Sequence, residues 1–220
     1  MKSLIDFFSI LQLTKEQPLT GYLLAGLKLH ETATLAEHHY TTAMMGYFLG
    51  QKIVDAGGTL DVQKVMMMSM IHDLSELFGG DIAGPLNRKY PELREYKDKI
   101  GEKAILLLSE YLDGGGGETF RALWEEMESG KTDESVITKI VDQMDHQFFL
   151  EHLNYRAKYN TDQHGDYRPA FVQNHIRTLS EKLNDPKTKK VVNEFFDTFM
   201  ERAYEQGFRA GTLMMMDESG

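Results

Sequence analysis

The sequence predicts an all-α, single-domain helical bundle. Apolar residues recur at helical spacing through most of the 220 residues, helix-capping residues precede these segments, and strand patterns are weak. Hydrophobic residues make up 41% of the chain and charged residues 26%, which is ordinary for a folded globular protein. We expect a principal domain over residues 1–160 and a C-terminal helical extension over residues 161–220, packed on the same domain.

The first two long helices are predicted from their caps and stops. Ser3 resembles the start of a capping box and opens a short amphipathic helix that ends before Pro18. Thr34 and Glu37 form a clearer capping box, because each can bond the backbone amide of the other. The helix that they begin is expected to run to the glycine pair 57–58.

Two further helices occupy the middle of the chain. Asp61 caps a helix that is apolar on nearly every face, as in a buried central helix, and that is expected to end at the glycine pair 79–80. A charged amphipathic segment follows Pro91 and reaches Leu112, with a possible break at Gly101.

The last part of the chain begins with a glycine run at residues 114–117, which is predicted to be a flexible loop. This run lacks the Lys-Ser/Thr pair of a phosphate-binding loop. Asp185 and Pro186 supply a cap and a first-turn proline for the final helix. The predicted helices here cover 118–129, 133 to about 159, 169–183 and 186–207.

Charge and composition exclude several classes of function. Lys and Arg total 24 against 34 Asp and Glu, so the net charge is −10 and a nucleic-acid-binding role is disfavoured. The chain has no cysteine, so any metal must be bound by histidines and carboxylates. No targeting segment is visible and no apolar run reaches the roughly 18 residues that span a bilayer, so we expect a cytoplasmic protein without a membrane partner.

The dipeptide His72-Asp73 is the first chemical signal, because it lies in the most apolar predicted helix. Glu76 follows at a spacing that places all three side chains on one helix face. Buried ionisable groups are unfavourable unless they are paired, so this cluster requires an explanation. The alternative is a helix end near solvent, with His72 as a hydrogen-bonded core histidine.

Other residues extend this signal. His38 and His39 both lie on apolar stripes of the helix that Thr34 begins, so periodicity alone does not choose between them. Asp142 lies among apolar residues of a later helix, although it could equally be a solvated carboxylate. Two imidazoles and two carboxylates together suit zinc, manganese, iron, cobalt or nickel.

Four ordered segments resemble the HD-domain metal-dependent phosphohydrolases, and most closely their single-metal 5′-deoxynucleotidase branch. They are LAEHH (35–39), IHDLSE (71–76), GGDIAGP (79–85) and KIVDQMD (139–145), within a resemblance that covers roughly residues 18–155. It implies an HD-type helical bundle with one divalent transition metal in its centre. The residues that match the family's ligands are His38, His72, Asp73 and Asp142.

The resemblance also implies roles beyond the metal ligands. It selects His38 over His39, because the family histidine follows the glutamate that Glu37 matches. Glu76 matches a residue that positions or deprotonates the attacking water, and Asp81 matches a carboxylate near the sugar or leaving group. Asp81 could instead cap the following turn. The family's substrate-contacting arginine is missing from the stretch PLTGY (18–22), so the nucleotide preference stays open.

These features predict a phosphohydrolase that removes the 5′-phosphate of (deoxy)nucleoside monophosphates, with a small-molecule nucleotide as partner and a possible homodimer. One alternative is a non-catalytic, metal-retaining nucleotide sensor. Another is a helical interaction protein that uses an apolar stripe of the last helix, between Val191 and Met200. Residues 88–103 carry a net charge of +2 and form either a solvated helix or, at one or two cations, a phosphate contact.

Overall fold

The computed structural model describes residues 1–24, 27–80, 86, 89–153 and 169–205. The predicted all-α class is confirmed, since the regular elements among these residues are helices and only an isolated bridge joins Pro18 to Thr34. Short 3-10 helices cover Gln12–Lys15 and Leu29–Glu31. The α-helices in chain order are α1 (Lys2–Leu11), α2 (Gly21–Leu24), α3 (Leu35–Asp55), α4 (Val62–Ile71), α5 (Glu76–Gly79), α6 (Leu93–Ser109), α7 (Gly116–Ser129), α8 (Asp133–His152), α9 (Pro169–Ser180) and α10 (Pro186–Glu205).

Of the three caps predicted in the first half of the chain, two are confirmed and one is wrong. Thr34 caps α3, where the amide of Glu37 donates to Thr34 Oγ1 at 3.3 Å and the Glu37 carboxylate accepts from the Thr34 amide at 2.7 Å. Asp61 accepts from the Lys64 amide at 3.0 Å and caps α4. Ser3 caps nothing, because α1 already begins at Lys2 and the Ser3 hydroxyl donates to Asp113.

The predicted single helix from Asp61 to Gly79–Gly80 is wrong, because α4 ends at Ile71. The His72 Nδ1–H donates to the Ser69 carbonyl at 2.8 Å and so uses the acceptor that the next α-helical turn would need. The amides of Leu74 and Glu76 then bond to carbonyls three residues earlier instead of four. Residues 72–75 therefore form a tight turn, and α5 restarts the helix after it.

The glycines of the middle region also differ from expectation. Helix α6 runs without a break through Gly101. Of the predicted glycine loop, only Gly114 and Gly115 have positive φ, and α7 begins at Gly116 instead of Glu118. A Cβ on Gly117 would lie 2.4 Å from the Ser109 carbonyl oxygen, so the glycine run permits a close approach of the helix ends in place of a flexible loop.

The C-terminal helices match the sequence prediction in position and differ at their ends. Helix α8 ends at His152 rather than near residue 159, and residues 154–168 lie outside the described part of the chain. Helix α9 ends at Ser180, three residues early. The predicted cap of α10 is confirmed, since the Asp185 carboxylate accepts from the Lys187 amide at 3.0 Å and from the Thr59 amide at 2.8 Å.

The core is arranged around α3, α4 and α8, which pack on one another. One apolar cluster joins α3, α4 and α8 to α9 and α10 through residues such as Ile53, Ile140 and Phe196. A second cluster joins α4 to α1, α6 and α7 through residues such as Met68 and Leu108. Helix α4 therefore contributes to two apolar clusters, but the expectation that it is buried on nearly every face is only partly met, since Met67 and Met70 are 47% and 46% exposed.

The apolar stripe of α10 belongs to this core. Val192, Phe196 and Phe199 are buried against α3, α8 and α9, while Val191 and Met200 pack partly buried at its edge. The interaction-protein hypothesis loses its proposed surface, because the stripe that suggested it is covered by the protein itself.

Candidate metal centre

His38 lies in the first turn of α3, where the Thr34 cap fixes its direction. Its side chain is buried, with 1% of the residue exposed. Nδ1 faces the Asp145 carboxylate at 2.7 Å, and Nε2 faces His72 Nε2 at 3.1 Å. Because Nδ1 has a carboxylate acceptor, it holds the proton of the neutral ring, and Nε2 presents its lone pair to the centre.

His72 has the same arrangement from the opposite side. It is the residue that ends α4, and its Nδ1–H donates to the Ser69 carbonyl. Its Nε2 therefore also presents a lone pair toward His38. The bond from His72 Nδ1–H to the Ser69 carbonyl thus accompanies two features: α4 ends at Ile71, and Nε2 of the same ring faces His38.

Two carboxylates complete the cluster. Asp73 Oδ2 lies 3.2 Å from His72 Nε2 and 3.7 Å from His38 Nε2. Asp142 on α8 places Oδ1 3.2 Å from His38 Nε2 and 3.8 Å from His72 Nε2. One potential ligand atom from each of the four residues lies within 4.8 Å of all the others. Three separate elements thus bring together the four residues that the sequence resemblance selects.

The electrostatics of this cluster require positive charge. Four acceptor atoms converge on one point, and their lone pairs repel unless a proton or a metal cation lies between them. Burial disfavours the protonated ring of His38, but hydrogen bonds to Asp142 and Asp145 outweigh it and raise its pKa to about 9. Burial also opposes protonation of His72, and the charge of Asp73 raises its pKa well above the usual value.

The carboxylates respond in the opposite sense. Burial disfavours the charged form of Asp142, but the His38 imidazole at 3.2 Å and the nearby His72 imidazole hold its pKa well below the ordinary value. Two anions facing two basic nitrogens fit a divalent cation of the zinc, manganese, iron, cobalt or nickel type. The cluster could therefore hold a divalent metal, whose identity these residues do not determine.

His39 is buried but lies outside the four-atom cluster. Its ring centroid is 5.0 Å from that of His72, and Nε2 has no hydrogen-bond partner among the described residues. Burial, followed by the charge on His72, lowers the pKa of His39 well below its usual value. The backbone of α3 thus directs His38 toward Asp142 and His39 toward α4.

Two residues of α8 were missed by the sequence analysis. Asp145 orients His38 through Nδ1, and the ring of His146 stacks on His38 with centroids 5.1 Å apart and planes inclined by 11°. They follow Asp142 by three and four residues, so they share its helix face. This spacing could have identified them, because polar residues three and four positions after a predicted ligand lie on the same helix face and can contact the other ligands.

A cavity of about 960 Å³ opens beside the cluster. His72 and Asp73 line it together with Glu76, so the predicted catalytic glutamate borders the same space although it is not in the four-atom cluster. Glu76 Oε1 lies 3.3 Å from Lys97 Nζ. Asp81, the second predicted catalytic carboxylate, lies outside the described residues.

Several cations of the predicted basic segment line this cavity. Arg94, Lys97 and Lys103 do so from α6, whereas Lys99 pairs with Glu95 on the exposed face at 2.6 Å. The solvated-helix alternative describes the face with Lys99 and Glu95, whereas a phosphate contact by the cavity-lining cations stays a prediction.

Comparison with known proteins identifies the class. A family model described as an HD domain matches residues 14–191, well over half of the chain. The protein belongs to the HD-domain family, and at the level of that family it is a phosphohydrolase with a site suited to a divalent metal.

Two similar proteins carry the same name. The chain is 31% identical over 147 residues to "5′-deoxynucleotidase HDDC2" of Dictyostelium discoideum. This alignment covers 66% of this chain and 74% of that protein. It is 24% identical to the human protein of the same name, over 88% of this chain and 84% of that one.

Solved structures share the fold. A conserved hypothetical protein from Pyrococcus furiosus superimposes with a TM-score of 0.63 at 23% identity, over 88% of this chain and 97% of that one. A predicted metal-dependent phosphohydrolase from Magnetospirillum magnetotacticum gives a TM-score of 0.61 at 17% identity, over 92% and 94%. Within the described residues, no helix has the length and apolarity needed to cross a membrane.

Proposed function

We propose that this protein hydrolyses the 5′-phosphate of (deoxy)nucleoside monophosphates with one divalent transition metal. The observation that carries the proposal is the convergence of His38, His72, Asp73 and Asp142 within 4.8 Å at the wall of a cavity of about 960 Å³. The similarity to two proteins named 5′-deoxynucleotidases supports the nucleotide as substrate.

The four side chains would hold the metal in distinct ways. His38 and His72 offer Nε2 atoms whose rings are fixed from behind by Asp145 and by the Ser69 carbonyl. Asp73 and Asp142 are partly exposed, at 29% and 22% of their side chains, so the site opens toward solvent on the carboxylate side. A divalent cation bound there supplies a water of lowered pKa and polarises a phosphoryl oxygen.

Glu76 is the proposed group that handles the proton. Its side chain is 14% exposed and borders the cavity next to the His-Asp turn, which suits a residue that accepts a proton from the attacking water at Oε1. Lys97 Nζ lies 3.3 Å from the same Oε1 and holds the carboxylate at the cavity wall. Asp81 stays proposed as a carboxylate near the sugar or leaving group.

The cations of α6 would receive the phosphate. Arg94, Lys97 and Lys103 border the cavity that also contains His72 and Asp73. Asp98 and Glu102 of the same helix also line the cavity, so the excess of positive charge that α6 contributes is small, which suits a small anion better than a long polyanion.

The test is phosphate release from a panel of nucleoside 5′-monophosphates. The protein is stripped with a chelator and reloaded with each of several divalent metals, and we expect release only in the presence of metal. Glu76→Gln should retain metal and nucleotide but lose about 10²- to 10⁴-fold in rate. Glu95→Gln is the matched control, because Glu95 pairs with Lys99 on the exposed face, and its rate should not change.

The sensor hypothesis predicts a different result in the same assay. Nucleotide binding without phosphate release under any metal would contradict the hydrolase and favour the sensor. A wild-type rate in Glu76→Gln would remove Glu76 from the mechanism and leave Asp81 as the next carboxylate to test.

A further inference from the structure

The helix pair α3 and α4 has one side on which two rows of outward positions meet. The helices run antiparallel, because Gly46 of α3 lies against Val65 and Ser69, whereas Gly50, farther along α3, lies against Val62, earlier in α4. In each helix the residue that follows a contact position points about 100° away from the contact line. Because the helices are antiparallel, this rotation leads to the same side of the pair in both.

This side carries apolar side chains and is open to solvent. The residue before each contact position faces the interior instead, as His38 does toward Asp145 of α8. The rings of Tyr47 and Phe48 lie on the open side, 5.2 Å apart and inclined by 80°. We call six residues the α3–α4 face: Tyr40 (63% exposed), Phe48 (61%), Met70 (46%), Met44 (39%), Tyr47 (37%) and the partly buried Met66.

The area of this face is that of the apolar part of a stable dimer interface. If a side chain of this size has about 200 Å² of accessible surface, the exposed fractions amount to roughly 500 Å². The largest apolar patch on a typical monomer is about 300–600 Å² and is often an interaction site. A standard interface buries about 800 Å² per partner, of which somewhat more than half is apolar.

The α3–α4 face is also uncharged in a chain whose net charge is −10. Between Glu37 and Asp55 the only charged residue of α3 is Lys52, one turn beyond Phe48 at the edge of the face. The only one within α4 is Lys64, which pairs with Glu126 at 2.8 Å.

This distribution of charge favours a second copy of the chain as the occupant. Two copies with the same net charge repel each other where their charged surfaces meet, so they approach at least cost through an uncharged face. An anionic membrane surface would instead attract a cluster of cations, and the face has none.

We propose that two copies of this chain associate through their α3–α4 faces about a twofold axis. A twofold dimer places the same patch of both copies in contact, and it is the commonest symmetric assembly of soluble proteins. Aromatic residues and methionine, which make up the whole face, are the residues enriched at the centres of protein interfaces. Association would remove roughly 1,000 Å² of apolar surface from water, counting both copies.

Sedimentation equilibrium of the full chain tests the assembly. We expect a mass of about 50 kDa, twice the 25.2 kDa of one chain, at micromolar concentrations. Tyr40→Glu and Phe48→Glu each place a charge on the face, and the twofold axis brings that charge into the interface twice. Their dimer dissociation constants should rise at least about 100-fold, because like charges in an interface are strongly unfavourable. Both side chains are mostly exposed, so thermal melting followed by circular dichroism should show a folded chain.

Tyr96→Glu is the matched control. Tyr96 is 59% exposed and lies on α6 beside the Glu95–Lys99 pair, so this variant adds the same charge to a surface that is already charged. It should dimerise as tightly as the wild type.

Three results would overturn the proposal. A wild-type chain that stays monomeric at every concentration would leave the face to a different protein. Folded Tyr40→Glu and Phe48→Glu variants that dimerise normally would place the interface elsewhere, and equal weakening by Tyr96→Glu would attribute the effect to net charge. None of these measurements involves metal or nucleotide, so they do not depend on the proposed hydrolase.

Discussion

Replacing Asp145 by Asn should weaken metal binding although Asp145 is not one of the four converging ligands. Its carboxylate accepts from His38 Nδ1–H at 2.7 Å and is itself buried, with 6% of the residue exposed. The charged acceptor fixes the ring orientation and keeps the Nε2 lone pair directed at the centre. An asparagine carries no charge, and its NH₂ group can donate to Nδ1, which stabilises the tautomer that places the proton on Nε2.

The expected size follows from this single contact. A hydrogen bond to a charged group contributes about 1.5–3 kcal/mol, and its loss corresponds to roughly a 10- to 100-fold weaker metal affinity. The same range is found when a residue behind a metal-binding histidine is replaced. Competition against a chromophoric chelator measures the affinity, and nitrogen chemical shifts of His38 report its tautomer.

Asp133→Asn provides the control for this experiment. Asp133 is another buried aspartate of α8, but it accepts from the backbone amides of Asn184 at 2.7 Å and Asp185 at 3.0 Å, away from the four-residue cluster. We expect it to lower thermal stability without changing metal affinity. If folded Asp145→Asn binds metal as tightly as the wild type, the reasoning that links His38 orientation to metal binding is refuted.

Three further predictions concern the site and the fold. His38→Ala should abolish metal retention while His39→Ala keeps it, as measured by elemental analysis; the reverse pattern would show that the wrong ring has been assigned. Gly117→Ala should destabilise the protein by about 1–3 kcal/mol in urea unfolding, because its Cβ meets the Ser109 carbonyl oxygen at 2.4 Å, and an unchanged midpoint would contradict this. Backbone hydrogen bonds lower the pKa of Asp185, so its contribution to the free energy of unfolding is complete above about pH 3.8 and is lost as the pH falls through the lowered value. Asp185→Asn should flatten this loss of stability in acid. If the variant's stability falls with pH as the wild type's does, Asp185 is not the cause of the acid dependence.

Much of the fold could be predicted because its signals are local. The capping box at Thr34 and Glu37 and the cap at Asp61 depend on contacts three residues apart, and these were predicted correctly. The end of α4 was not predictable from composition, because a side-chain bond from His72 to the Ser69 carbonyl outweighs a strongly helical pattern. The possible break at Gly101 was also wrong, because one glycine lowers helix propensity only modestly and the helix continues through it.

The sequence by itself determined the chemistry of this protein: two imidazoles, two carboxylates and no thiol, in ordered segments that resemble one enzyme family. Tertiary structure alone decided how those groups face one another. His38 and Asp145 are 107 residues apart, and only the packing of α3 against α8 brings their side chains to 2.7 Å. The cavity likewise exists only where the turn at His72 meets α6 and α7. Helical periodicity specifies which residues share a face, whereas long-range packing determines which two faces come into contact.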